Sequence, residues 1–256
     1  MRLGLIVEYE GTSYSGFQYQ INAASVQEEI ETAIKKTTGE NLRLQAAGRT
    51  DAGVHAKGQV IAFNTTSNYK PEVFADALNF HLPFDIAIKS AYITKDSFNP
   101  RRDALSRLYR YTILQRPTRL PLLRNTTHHI RSQLDLNQMS EAMGLFVGLH
   151  DFSRFSGTTA DPCASTQRYI YEASIQKSGD ILEFDIMGNA FLPHQVRRMV
   201  GAVVAIGKKS LSLEQYRIML EGGISGMIAH SLPSKGLCLM SVAYRDFPPE
   251  IGEDND

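Results

Sequence analysis

Two periods of hydrophobic and polar positions run through this chain. Leu3, Leu5 and Val7 recur at every second residue and predict a strand leaving through Tyr9-Glu10-Gly11-Thr12. Ser25-Val26-Gln27-Glu28 has the spacing of a capping box, and Val26, Ile30, Ala33 and Ile34 then share one helical face until Thr38-Gly39 stops it. Leu42, Leu44 and Ala46 alternate, as do Val60 and Ala62 against Ile61 and Phe63, so two strands joined by a loop are expected. Pro71 opens a short helix through Phe74, Ala77 and Leu78, and Ile86, Ile88, Tyr92 and Thr94 mark another strand. The first half therefore reads β-α-β-β-α-β.

The second half repeats that order without obvious sequence identity. Residues 105–114 form a strand with Tyr109, Tyr111 and Ile113 on one face and Leu108, Arg110 and Thr112 on the other. Asp135 caps a helix through Leu136, Met139, Met143, Phe146 and Val147, and residues 167–176 and 181–187 pair as strands across Lys177-Ser178-Gly179-Asp180. A helix over about 193–206, a short one over 213–220 and a strand over 237–244 complete it. The pattern predicts an α+β fold of two tandem ferredoxin-like βαββαβ halves, residues 1–103 and 104–247, followed by an acidic tail, 248–256. Antiparallel sheets lying side by side would leave a cleft between the halves, a common place for a binding site.

Composition narrows the class. With 43% hydrophobic and 21% charged residues the chain is of soluble globular type, and no apolar run approaches a membrane span. Glu8 interrupts the N-terminal apolar run before a signal-peptide core forms, so a cytoplasmic protein is expected. Cys163 and Cys238 lie far apart and outside any metal-binding spacing, so each is expected to be a free thiol. Net charge is zero, from 27 basic and 27 acidic residues, yet Arg101, Arg102, Arg107, Arg110, Arg116, Arg119, Arg124 and Arg131 fall in one stretch with Asp103 as its sole acid. Such a band is either a solvated face or a grip on phosphate, which the planar guanidinium matches.

The candidate chemistry is concentrated in Ala46-Ala47-Gly48-Arg49-Thr50-Asp51-Ala52-Gly53-Val54-His55-Ala56-Lys57-Gly58-Gln59-Val60, a loop between two predicted strands. Its glycines permit sharp turns and close approach, and Arg49 and Asp51 carry opposite charges two residues apart. By composition alone it is an ordinary connection. A second loop, 11–20, sets Tyr14, Phe17 and Tyr19 among Gly and Ser, where they either stack on bases or pack onto the fold. On α-helical spacing Val196, Met199, Val200 and Val203 form an apolar face with Arg197 at its shoulder and Arg198 nearly opposite, so Arg197 looks inward and Arg198 solvated.

The string Gly48-Arg49-Thr50-Asp51-Ala52-Gly53-Val54-His55 resembles the signature of the TruA family of tRNA pseudouridine synthases. So do Tyr9-Glu10-Gly11-Thr12-Ser13-Tyr14-Ser15-Gly16-Phe17-Gln18, with Phe17 where Trp is common, Arg107-Leu108-Tyr109-Arg110-Tyr111, Gly148-Leu149-His150-Asp151-Phe152-Ser153-Arg154-Phe155, the segment 188–201, with Pro193-His194-Gln195 in place of His-His-Met, and Leu232-Pro233-Ser234-Lys235-Gly236-Leu237-Cys238-Leu239. The resemblance spans nearly the whole chain. It implies that Asp51 is the nucleophile, attacking either C1′ of the ribose or C6 of the base, and that Arg197 pairs with it and keeps it ionised. It implies that Tyr109 stacks on the target base and accepts the C5 proton, with Arg107 on the same strand face aiding a phenol that ordinarily titrates near 10. Arg49 would fill the vacancy left by the flipped nucleotide or hold its phosphate, Leu237 would wall the uracil pocket, and Arg107 and Arg110 would complete the substrate contacts. Tyr111 reads as core.

The activity so implied is isomerisation of uridine in the anticodon stem-loop of tRNA, positions 38–40, by a homodimer with tRNA bound across both subunits. Neither metal nor redox cofactor is required, and the sequence offers no convincing site for either. The alternative is a non-catalytic RNA-binding protein built on ferredoxin-like modules, which would leave Asp51, Tyr109 and Arg197 without a purpose. A hydrolase with an aspartate nucleophile is disfavoured, since no lysine or carboxylate cluster of phosphate-handling type accompanies Asp51.

Overall fold

The computed structural model of the chain describes residues 1–157, 165–221 and 230–248. The elements in order are β1 (Arg2–Tyr9), α1 (Val26–Thr38), β2 (Gln45–Ala46), β3 (His55–Asn64), α2 (Pro71–His81), β4 (Ile86–Thr94), β5 (Ser106–Gln115), β6 (His128–Ile130), α3 (Leu136–Gly144), β7 (Gly148–Asp151), β8 (Gln167–Ser178), β9 (Ile181–Gly188), α4 (Gln195–Gly207), α5 (Leu213–Leu220) and β10 (Leu237–Ala243). This is an α+β fold. Contacts divide it into two compact units, residues 1–106 with 239–248 and residues 107–238, so that most of β10, grouped with the second half on sequence, packs in the first unit.

In the first unit β1 is central and antiparallel to both neighbours, with Leu3 opposite Phe63 of β3 and Ile93 of β4. Leu3, Leu5 and Val7 are fully buried on one face of it. Phe63 on that face lies 5.8 Å ring to ring from Phe74 of α2, so the apolar stripe of the helix seals it. The other face carries Gly4 and Ile6 under an aromatic cluster in which Phe98 stacks on Phe247 and Tyr92 and Tyr244 meet Phe247 edge-on. Both faces of β3 are therefore covered, which explains an unbroken buried run from Gly58 to Phe63. A Cβ at Gly58 would come within 2.5 Å of the Met240 carbonyl on β10, so this position admits no side chain without moving the neighbouring backbone.

Helix α1 begins and ends as its sequence implies. The Ser25 hydroxyl accepts from the Glu28 amide, and Gly39 closes the helix at φ 78°. The strand expected over 42–46 shrinks to Gln45–Ala46. The Leu44 amide donates to Glu31 Oε1 at 3.1 Å and Arg43 pairs with Glu31 Oε2 at 2.7 Å, so this stretch is tied to α1 rather than to a ladder.

In the second unit the order is β5-β9-β8-β7, antiparallel throughout, with β6 added in parallel to β5. The short strands β6 and β7 have too few alternating residues to announce themselves. Met139, Ala142 and Met143 of α3 and Met199, Val200, Ala202, Val203 and Ile206 of α4 are buried. Helix α3 stops at Gly144, leaving Val147 exposed beyond it, and α4 starts at Gln195 rather than Pro193 because His194 takes a left-handed φ of 61°. Cys238 is half-buried, while Cys163 and residues 249–256 of the acidic tail lie outside the described residues.

Gly58→Val should lower stability by about 1–3 kcal/mol, because the new side chain meets backbone that cannot yield. Gly144→Ala, whose Cβ meets nothing within 4 Å, should leave it unchanged or raise it. Urea midpoints of the two variants check this; equal midpoints would show that the packing of β3 against β10 is looser than described.

Candidate active site

The loop bearing Asp51 is held in the first unit by its neighbours in sequence-distant segments. Thr50 is buried; its hydroxyl bonds the Tyr9 hydroxyl at 2.8 Å, and its carbonyl accepts the Phe17 amide at 3.1 Å. Gln59, fully buried on β3, donates through Nε2 to the Gly48 carbonyl at 2.9 Å. Past Asp51, the Val54 amide donates to the Asp51 carbonyl at 3.1 Å, and Gly53 turns at φ 74° while its amide reaches the Tyr14 carbonyl at 3.3 Å. Segment 11–17 lies so close that a Cβ on Gly16 would stand 2.8 Å from the Thr50 carbonyl. With Thr50 and Val54 drawn inward, Arg49 is left exposed and Asp51 half-buried.

The aromatic loop packs onto the fold. Phe17 is buried against Tyr9, and Tyr14 is buried with its hydroxyl donating to Asp85 at 2.6 Å. Burial, reinforced by Asp85, raises the Tyr14 pKa. Tyr19 stacks beneath the Arg43 guanidinium at 3.9 Å. His55 is a buried structural group whose Nδ1 accepts the Gly11 amide at 3.0 Å.

In the second unit β5 carries Arg107, Tyr109 and Tyr111 on one face. Tyr109 is buried with its ring edge-on to Phe191 at 5.2 Å, and Arg107 Nη1 donates to the Asn189 carbonyl at 2.6 Å. The Asn189 side chain in turn accepts from the Tyr169 and Ala190 amides, which fixes the turn. Tyr111 is fully buried, as read, and its hydroxyl donates to the Pro233 carbonyl at 2.8 Å. On the opposite face Arg110 makes a two-pronged pair with Asp185, both bonds 2.7 Å, and a further one with Glu183 at 2.9 Å. The Asp185 hydrogen bonds raise its pKa, so this expected substrate contact is already engaged within the sheet.

Arg197 sits on the first turn of α4, half-buried. Its Nε donates to the Leu232 carbonyl at 2.6 Å and its Nη1 lies 3.2 Å from His194 Nδ1. Arg198, expected to be solvated, instead donates to the Ser156 carbonyl. The helical wheel missed this because Ser156, distant in sequence, lies against that side of α4. Leu237, the first residue of β10, is buried.

The model of the family described as tRNA pseudouridine synthase matches residues 5–101 and 142–245, which include the Asp51 loop, α4 and Leu237. The chain belongs to the tRNA pseudouridine synthase family. Relatives named tRNA pseudouridine synthase A share 41% identity in Geotalea daltonii, covering 94% of this chain and 98% of that protein, and 40% in Geotalea uraniireducens, covering 95% and 99%. One from Thermoanaerobacter sp. strain X514 is 38% identical over 94% and 98%. A solved Cbf5-Nop10-Gar1 complex covers 93% of this chain and 58% of that one at 11% identity and a TM-score of 0.38, too distant to build on. As a member of the family the protein is a pseudouridine synthase; Tyr9, Thr50 and Gln59, which hold the Asp51 loop in the first unit, and Asn189 and Phe191, which meet Arg107 and Tyr109 in the second, all lie inside the matched segments. Sequence reading passed over them since a buried hydroxyl or carboxamide looks like any other until its partner is known.

Tyr111→Phe removes one buried hydrogen bond and should cost about 1 kcal/mol of stability. Thermal unfolding measures it, and no change in midpoint would mean that the Pro233 carbonyl finds another donor.

Proposed function

We propose that the protein converts uridine to pseudouridine in tRNA, within the anticodon stem-loop at positions 38–40. Asp51 is the nucleophile, Arg197 is its counter-ion, Tyr109 is the stacking residue and C5 proton acceptor, and no metal or cofactor takes part. The single observation that carries this reading is the match over nearly the whole chain to relatives named tRNA pseudouridine synthase A, with the Gly48-Arg49-Thr50-Asp51 loop held by the Thr50 and Gln59 hydrogen bonds.

In this reading the Asp51 carboxylate attacks C1′ and displaces N1, or adds to C6 and assists the same cleavage. The glycosidic N1–C1′ bond breaks, the uracil turns, and C5 bonds to C1′. The C5 proton passes to the Tyr109 phenolate, N1 takes up a proton, and the carboxylate is released, so the product is an isomer of the substrate. Arg49 occupies the gap in the stem or clasps the everted nucleotide's phosphate, Leu237 and Tyr109 enclose the base, and Arg107 supplies positive charge beside Tyr109. Arg110, clamped by Asp185 and Glu183, contributes by stiffening β5 beneath Tyr109. The enzyme acts in the cytoplasm as a homodimer, tRNA lying across both subunits.

Transfer RNA transcript carrying tritium at uridine C5 should release label when incubated with the protein. Asp51→Ala should lower release by roughly 10³-fold or more while retaining tRNA binding, and Tyr109→Phe should lower it by about 10²–10⁴-fold with Tyr111→Phe near wild type. Turnover surviving in Asp51→Ala would remove the aspartate from the mechanism. Binding without any release by the wild type would favour the non-catalytic RNA-binding alternative. Carbodiimide-adduct primer extension should place the product at positions 38–40.

A further inference from the structure

Beside the Asp51 loop the first unit holds a cleft of about 300 Å³ whose lining includes Arg49, Arg101, Phe17, Gln18, Gln45 and Asn99. Two guanidiniums from segments 52 residues apart in sequence converge on it, and no carboxylate is among its lining residues. Such a charge balance favours an anion. Arg101 is set in place by its own backbone: the Asn99 carboxamide oxygen accepts the amides of Arg101 and Arg102 at 3.0 Å each, and Asp103 accepts the Asn99 amide at 2.7 Å. Gly48, also in the lining, is fixed by Gln59. The site thus includes anchored backbone at Gly48 and at Arg101.

Its contents discriminate further. A bare phosphate needs donors only, whereas Gln18 also brings a carboxamide of the kind that reads base edges, and the cleft lies at the small end of ligand pockets, suited to one nucleotide unit. Arg49, two residues before Asp51, belongs at once to this cleft and to the loop that bears the nucleophile.

We infer that this cleft is a nucleotide subsite for the RNA strand adjoining the target uridine, in which Arg101 holds a phosphodiester. The inference rests on the proposed RNA substrate but not on the chemistry at Asp51. Arg101 is a positioning and binding residue here, since it secures the strand while the target base is worked on elsewhere.

Binding of a fluorescein-labelled anticodon-arm hairpin, measured by anisotropy over a salt series, tests it alongside tritium release. Arg101→Gln should weaken hairpin binding about 10-fold or more and reduce the salt slope by about one, raising KM with kcat within two-fold. Arg101→Lys should restore the salt slope but only part of the affinity, because the forked geometry is lost. Arg119→Gln serves as the control for generic loss of charge, and circular dichroism confirms folding. If Arg101→Gln binds the hairpin like wild type, or no worse than Arg119→Gln, the subsite is refuted whatever the turnover. If the wild type binds the hairpin through Arg101 yet releases no tritium, the subsite stands and the catalytic reading fails.

Discussion

The feature on which the rest of the first unit depends is the double anchoring of Thr50. Its carbonyl receives the Phe17 amide and its hydroxyl meets Tyr9, so the residue before the proposed nucleophile is part of the core. A surface loop free to sample many conformations would lose orientation entropy each time it acted, and a carboxylate needs a defined direction of attack. Anchoring the backbone on either side leaves Asp51 and Arg49 as the parts that face outward. The nearness of Gly16 and Gly11 to that loop follows from the same need, because any side chain there would push the anchors away.

Charge in the second unit is arranged with similar economy. The arginine-rich stretch looks on paper like a continuous grip on phosphate, but the fold consumes part of it: Arg110 is clamped between Asp185 and Glu183, Arg107 turns to the Asn189 carbonyl, and Arg116 reaches Asp180 at 3.4 Å. Ion pairs of the half-exposed kind contribute little stability each. Their effect here is on direction: they fix which way β5 presents Tyr109 and Tyr111.

Much of this was legible in advance, for reasons that differ by element. Helix α1 could be read because its start and stop signals are local, Ser25 and Gly39 acting on their own backbone. The first-half order of strands and helices could be read because β1, α2 and β4 have strong periods. The strand at 42–46 was overstated because Glu31, on another element, captured its amide and its arginine, and no local pattern records that. The start of α4 was misjudged by two residues since His194 adopts a left-handed turn that few non-glycine residues accept. Of the residues in the proposed mechanism, Arg49, Asp51, Tyr109 and Arg197 are named by motif alone, whereas the supporting Thr50, Gln59 and Asn189 are evident only from whom they touch.

The return of β10 to the first unit has a consequence for how the protein is made. Strand β3 emerges early during synthesis, yet the strand beside it, near Gly58, is supplied by residues that follow more than 130 others. Until those residues leave the ribosome, one rim of a highly apolar ribbon is uncovered, and a nascent polypeptide in that condition is prone to pair with its neighbours. Truncation upstream of Leu239 would therefore harm solubility more than the small mass removed suggests, and the growing chain depends on late closure to remain monodisperse.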